Sequence, residues 1–491
     1  MNAKPVSLAP PAGSAVSQWP DTDELYRRFD TLVKQPIRPI RRDAMAKVLD
    51  YFEQRCQASK RLAEEAKRVI PGGVQHNLAF NHPFPLAVKE ARGAHMVDLD
   101  GNRYIDFLQA GGPTLLGSND PNVLAKVQRL LEECGPTTGL LHEYEVKLAE
   151  LVCEVMPSVD MLRMMGSGTE AVMGAIRLAR AYTGKKRVIK IGGGYHGWSD
   201  QMVYGMRLPN TGRMEAVGIP RGATAGTQES LPNDLAAIRR KLQWNRLRGG
   251  TAAIIVEPFG PESGTRPVSK DFNAQVRRLC DEFGALLIFD EVVTGFRAGL
   301  GGAQAYFNVK PDLTVLGKCL TGGYPMAGGI GGRRDVMMML VGGIGTTTKR
   351  AFVGGTLTAN PLSCAAGYYA LQEMQRTDAA VKAGRAGDRL REGLEKIIER
   401  LGLPYVAYNM GSIVHLQTSG VMLLDTSNLL KLARAKNEAK QRKHMLEEMG
   451  AAYTAHGLIT LAGSRIYTSM ADTDAVIDDA LNRFEDVLRL V

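Results

Sequence analysis

Apolar residues recur along this chain in two periods. Short, largely apolar runs at 162–165, 188–191, 252–256, 285–289, 313–316 and 326–330 end in glycine, acidic or basic residues and read as buried strands. Between them lie segments with apolar positions at helical spacing. Val172, Ile176 and Ala179 mark a helix over 170–183, and Phe272, Val276 and Leu279 mark another. Strands alternating with amphipathic helices predict an α/β domain with a largely parallel sheet. In such sheets ligands bind beyond the carboxyl ends of the strands.

The flanks follow other patterns. After the turn Pro71-Gly72-Gly73, alternating runs at 85–89 and 94–98, the hairpin signal Asp100-Gly101 and a run at 105–108 predict a small antiparallel sheet. Beyond Ala365, a helix with Leu371 and Met374 leads to charged helices through Leu390, Leu394 and Ile398. Short strands at 413–416 and 459–461 and a final helix over 474–490 follow, which together read as a separate α+β unit. Residues 1–20 are rich in Ala, Pro and Ser and are expected to be disordered or loosely attached. From Asp21-Thr22-Asp23, a good helix start, Leu25, Phe29, Leu32 and Val33 give a helical pattern. This extension either packs on a partner subunit or lies as a peripheral surface helix. The division expected is 1–60 as an N-terminal extension, partly disordered and then helical. Residues 61–105 form the first part of a small domain, 106–365 a large domain and 366–491 the C-terminal part of the small domain.

Composition narrows the classes. With 491 residues and 44% hydrophobic content, the chain can bury a large core in more than one folding unit. Its 23% charged and 6% aromatic residues suit an ordinary globular protein. The net charge of +10 favours anionic ligands, but no alternation of aromatic and basic residues suggests a nucleic-acid platform. Six scattered cysteines form no C-x-x-C pair, so no metal site is expected and a reducing cytoplasm is. No run is long and apolar enough to span a bilayer, and the N-terminus lacks a secretory core.

Glycines cluster, as at 192–194, 322–323, 328–329, 331–332, 342–343 and 354–355, which suits either loop punctuation or close backbone approach to a ligand. Four constellations close strands of the α/β region. Gly166-Ser167-Gly168-Thr169-Glu170 stands between a strand and a helix and offers hydroxyls and free N–H groups to an anion, or simply caps the helix. In Gly194-Tyr195-His196-Gly197-Trp198 an aromatic side chain could lie on a flat ring, or be a half-buried turn residue. Asp290 ends an apolar strand and needs a partner, which a protonated pyridine nitrogen, Arg297 or a metal would supply. Lys318, between Leu316-Gly317 and Cys319-Leu320, is poorly placed for solvation. There its amine would be a nucleophile able to form a Schiff base, where an exposed loop lysine would do nothing. Together the four supply what pyridoxal 5'-phosphate (PLP) demands.

The chain resembles the class III aminotransferases of PLP fold type I, nearest to glutamate-1-semialdehyde 2,1-aminomutase and relatives acting on β-amino acids and D-phenylglycine. The motifs are Gly166-Ser167-Gly168-Thr169-Glu170-Ala171, Tyr195-His196-Gly197-Trp198, Phe289-Asp290-Glu291-Val292-Val293-Thr294-Gly295-Phe296-Arg297, Leu316-Gly317-Lys318 and Gly355-Thr356-Leu357-Thr358-Ala359-Asn360-Pro361. The resemblance runs from about residue 65 to the end. It implies a large domain with a mostly parallel sheet flanked by helices, and a smaller α+β domain built from both chain ends. It implies that Lys318 forms the internal aldimine and shuttles a proton, and that Asp290 pairs with the pyridine nitrogen. Tyr195 would cover one ring face and Val292 the other, with His196 also at the cofactor. Ser167, Gly168 and Thr169 would hold the phosphate, Glu257 would line the pocket, and Thr356 would reach the phosphate from the neighbouring subunit of a homodimer. The activity implied is transfer of an amino group between an amine or a β-, ω- or D-amino acid and a 2-oxo acid through pyridoxamine phosphate. An aminomutase or racemase of the same fold is the alternative.

Two departures bear on substrate. The aminomutase pattern has an arginine after the Pro-Gly-Gly turn, where this chain has Val74-Gln75-His76-Asn77-Leu78-Ala79-Phe80. Relatives using β-amino acids have one near the C-terminal strand, which aligns here with Ala455-His456-Gly457. His76 and His456 would then be weaker, pH-dependent carboxylate contacts or plain turn histidines. Trp198, Arg350 and Lys349 are further substrate candidates.

Overall fold

The protein is described here as a computed structural model covering residues 11–79, 81–135, 137–214, 216–342, 350–461 and 463–491, the side chain of Leu429 excepted. Its strands are β1 (Val88–Arg92), β2 (His95–Asp98), β3 (Arg103–Asp106), β4 (Met161–Met165), β5 (Arg187–Ile191), β6 (Thr227–Ser230), β7 (Thr251–Val256), β8 (Leu286–Asp290), β9 (Leu313–Leu316), β10 (Gly328–Gly332), β11 (Val406–Met410), β12 (Ile413–Gln417), β13 (Leu458–Ile459) and β14 (Arg465–Tyr467).

Seven strands form the central sheet in the order β4-β10-β9-β8-β7-β5-β6. Strands β5 to β9 pair in parallel, whereas β10 runs antiparallel to both of its neighbours. Every residue of β7, β8 and β9 is buried, and successive side chains feed opposite faces. Leu287 and Phe289 join one core with Phe272, Val276 and Leu279 of the helix Phe272–Phe283. Leu286 and Ile288 join another with Val172, Ala175, Ile176 and Ala179 of the helix Gly168–Thr183. Each such large side chain contributes roughly 1.5–3 kcal/mol of transfer free energy. Covered on both faces, the sheet has its ligand-binding edge at the carboxyl ends of the parallel strands.

The run 326–330 leads into β10, the antiparallel member of the otherwise parallel sheet. Residues 317–327 leave no room for a crossover helix, so the chain turns back directly. The strand Gly328-Gly329-Ile330-Gly331-Gly332 is glycine-rich because neighbours press on it. A Cβ at Gly328 would lie 2.3 Å from the carbonyl oxygen of Ser167.

The chain ends combine in smaller layers. The hairpin β1-β2-β3 is extended by β13, which pairs in parallel with β3. β11, β12 and β14 make a separate antiparallel sheet. The first ten residues lie outside the described ones, but the expectation of a loose segment is wrong for residues 11–20. Val16 and Trp19 are buried in the large core, and the indole Nε1 of Trp19 donates to Val268 O at 3.0 Å. Apolar side chains spaced among the Ala and Pro residues find partners on the chain's own body, which composition alone does not reveal. The helix Thr22–Lys34 starts at Asp21, whose carboxylate accepts from Glu24 N, and buries Leu25, Phe29 and Leu32 in the same core. No described helix is long and apolar enough to cross a membrane.

Candidate active site

β8 and β9 are neighbours with Asp290 opposite Val315, so Asp290 and Lys318 leave the sheet at the same edge. Asp290 is buried. One carboxylate oxygen accepts from Val292 N at 3.1 Å, and the other lies 2.7 Å from Nδ1 of His196. His196 is fully buried, and burial lowers its pKa although the hydrogen bond to Asp290 opposes this. The imidazole is therefore neutral. Its Nδ1–H faces the carboxylate, and its buried Nε2 has no partner among the described residues. Arg297 is not the partner of Asp290. Arg297 instead donates to Gly112 O, Ser412 Oγ and Thr468 O, and no described group of His, Cys, Asp and Glu could hold a metal ion.

Lys318 has φ of 46°, a left-handed conformation that costs a non-glycine residue about 1–2 kcal/mol. Its Nζ donates to Gly111 O at 2.9 Å, and no carboxylate pairs with it among the described residues. Val292 stands between Lys318 and the helix Gly168–Thr183. A Cβ at Gly317 would come within 2.9 Å of Val292, and one at Gly168 within 2.8 Å. At that helix's start Ser167 Oγ accepts from Glu170 N, and the Glu170 carboxylate accepts from Gly166 N at 2.8 Å. This leaves a capped but anion-ready N-terminus.

The loop after β5 packs against the same turn, since a Cβ at Gly197 would lie 2.5 Å from Thr169 Oγ1. Tyr195, half exposed, is fixed by its N–H, which donates to Glu257 Oε1 at 2.9 Å. Glu257 follows β7 and also accepts from Glu262 N and from Ser263 N and Oγ. Burial, with the nearby Asp290, pushes its pKa up to about 8. The set fits the expected cofactor. It offers a lysine amine with no carboxylate partner among the described residues, a buried carboxylate steadied by a neutral imidazole, a helix N-terminus for a phosphate, and two glycine faces packed against the Val292 branch.

The remaining candidates are placed differently. His76 is exposed and its Nδ1 accepts from Leu78 N, but Leu78 reaches Gly111 beside the Lys318 ammonium. Trp198 is 75% exposed. Thr356 is exposed in the turn closed by Thr358 N donating to Gly355 O. Arg350 is exposed against the Phe352 ring, and Lys349 and Phe80 lie outside the described residues. His456 ends the helix Leu429–Ala455 with Nδ1 2.8 Å from Ala452 O, the contact of a turn histidine.

Sequence reasoning missed an ion pair at the site. Arg465 on β14 donates to Glu262 at 2.8 Å, both side chains being less than one-fifth exposed. Arg207 lies 4.0 Å from the other oxygen of Glu262. Arg465 also donates to the hydroxyl of Tyr467, whose ring, like the Lys318 stem, would lie within 3.5 Å of a Cβ added at Gly112. Arg465 thus lies nine positions beyond His456, on the short strand β14. The signal available was a lone basic residue opening the short run Arg465-Ile466-Tyr467.

Comparison with known proteins gives consistent matches. The profile of the family Aminotransferase class-III matches residues 79–488. Glutamate-1-semialdehyde 2,1-aminomutase 1 of Lachnoclostridium phytofermentans is 40% identical over 361 residues, covering 72% of this chain and 82% of that protein. Among solved structures, an omega-transaminase from Sphaerobacter thermophilus superposes with a TM-score of 0.78 at 28% identity, covering 89% of this chain and 98% of its own. A beta-phenylalanine aminotransferase from Variovorax paradoxus gives 0.77 at 26% identity, covering 91% and 97%.

Proposed function

This chain belongs to the class III aminotransferase family, and from that premise we propose that it transfers an amino group between a carboxylate-bearing, non-standard amino acid and a 2-oxo acid. The fold is that of the type I PLP enzymes, and the cofactor is pyridoxal 5'-phosphate. When bound, it supplies an aldehyde that captures amines covalently and a ring that takes up electron density. The observation that carries the reading is the shared strand edge of Asp290 and Lys318, one a buried carboxylate and the other an amine without a carboxylate partner among the described residues.

The chain's own residues divide the work. Asp290, held by His196, would keep the pyridine nitrogen protonated. Ser167, Gly168 and Thr169 would bind the phosphate, while Tyr195 and Val292 would cover the two ring faces. Lys318 would hold the cofactor's aldehyde and would serve as the base that moves a proton at the substrate carbon. Arg465 would receive the substrate carboxylate, its guanidinium held in place by Glu262. Glu257 fixes both the Tyr195 loop and the backbone that carries Glu262. Two protomers complete the site, Thr356 reaching the partner's phosphate. The apolar side chains Leu140, Leu141, Phe352 and Leu357, 82%, 80%, 67% and 55% exposed, suit burial in that dimer.

Replacing Lys318 by Ala should abolish borohydride-trappable cofactor and lower turnover by more than a thousandfold. Normal turnover by this variant would refute the assignment. The name of the Lachnoclostridium relative favours a second reading, an aminomutase that keeps the amino group on one substrate. Rapid mixing with amino donor alone separates the two. A transaminase leaves free oxo product and pyridoxamine phosphate in stoichiometric amounts, whereas an aminomutase returns isomerised amine.

A further inference from the structure

The segment that precedes the family match is joined to the rear of the site. The loop from Glu257 to the helix Phe272–Phe283 holds Glu262 in front and has an unusual backbone. Gly260, Glu262, Ser263 and Gly264 all have positive φ, at 108°, 46°, 48° and 88°. Two of these are not glycine, so the conformation persists only because surrounding groups over-determine it. In front, the Glu257 carboxylate receives the N–H groups of Glu262 and Ser263.

Behind, the constraint comes from residues 14–29. Trp19 Nε1 donates to Val268 O at 3.0 Å, and Tyr26 Oη donates to Pro267 O at 3.2 Å. The Trp19 ring meets Phe259 edge-on at 5.3 Å. A second path runs through Phe29, 5.4 Å from the Tyr408 ring. Tyr408 Oη donates to Gly264 O and Thr265 O, and the ring stacks on His415 at 4.8 Å. His415 Nε2 in turn lies 3.3 Å from Ser263 O. Burial holds His415 neutral, its pKa pushed down to about 3, so it keeps this contact across the physiological range.

We propose that Trp19 and Tyr26 are positioning residues for the substrate-carboxylate site: the N-terminal segment braces the strained Gly260–Gly264 turn, and so fixes Glu262 against Arg465. The proposal rests on the reading of Arg465 as the carboxylate receptor. It gives residues 14–29 a role in substrate affinity rather than in chemistry, because neither side chain reaches the reacting atoms.

The test uses full-length holoenzyme as wild type, Trp19→Phe, Tyr26→Phe, their double variant and Arg465→Ala. Binding of 3-phenylpropanoate, a carboxylate with no amine, is measured by calorimetry, and amide exchange over residues 257–268 by mass spectrometry. In the double variant, binding should weaken about three- to tenfold and exchange at 260–264 should accelerate. The visible absorbance of bound cofactor should stay unchanged, which a general loosening of the fold would not allow. Arg465→Ala should abolish binding. If Arg465→Ala abolishes binding while the double variant keeps wild-type affinity and loop exchange, the brace is refuted and the carboxylate reading stands. If wild type does not bind the probe, or Arg465→Ala binds it as wild type does, the carboxylate reading falls and the proposal with it.

Discussion

Glu257 accepts hydrogen bonds from four donors and still has its pKa raised to about 8, because burial and Asp290 disfavour its charge. Asp472 is raised to about 7 by burial, with Asp106 adding to the shift and Arg297 opposing it. A carboxyl whose pKa is higher folded than unfolded takes up a proton on folding. Its contribution is complete below the unfolded value and is lost as pH rises through the folded one. The buried, neutral His196 and His415 act in the opposite sense, losing stability below about pH 6.5. Between pH 6.5 and 8 the slope from these groups therefore belongs to the carboxyls. The melting temperature should fall across that window, and Asp472→Asn should flatten the fall, as read by scanning calorimetry; an unchanged slope would remove Asp472 from the account. At this scale the sequence placed Asp290 at the end of β8 and Lys318 just beyond β9, as the structure has them. It did not bring Arg465 and Glu262 together, because their pairing depends on where β14 docks against a loop from a distant part of the chain.

At the scale of elements, β10 shows how packing fixes composition. A Cβ at Gly328 would meet the carbonyl of Ser167, so Gly328→Ala must shift the turn that starts the helix Gly168–Thr183. Overpacking of this kind costs about 1–3 kcal/mol. The variant should also bind cofactor at least tenfold more weakly in a titration of the apoprotein, and an unaltered affinity would show that the turn gives way without consequence. Apolar periodicity located the strands of the central sheet other than β6 to within a few residues. β6, Thr227-Gln228-Glu229-Ser230, escaped because an edge strand need not be apolar. The helix Leu429–Ala455 escaped as well, since its first half is charged on most sides and offers no stripe to read.

For the whole molecule, the exposed Leu140 and Leu141 carry the dimer expectation. Sedimentation should find two protomers together, and Leu140→Glu with Leu141→Glu should yield single chains that bind cofactor weakly. A dimer undisturbed by both charges would place the interface elsewhere. The sequence signals a change of pattern beyond Ala365, but it does not reveal the attachment of residues 11–20, because a few buried side chains outweigh a polar, proline-rich composition. The parallel pairing of β3 with β13 also orders events during synthesis. Roughly 350 further residues must leave the ribosome after β3 before its neighbour exists. Until then the nascent hairpin presents a bare edge, which makes the early chain a client for chaperones and premature termination a route to aggregates.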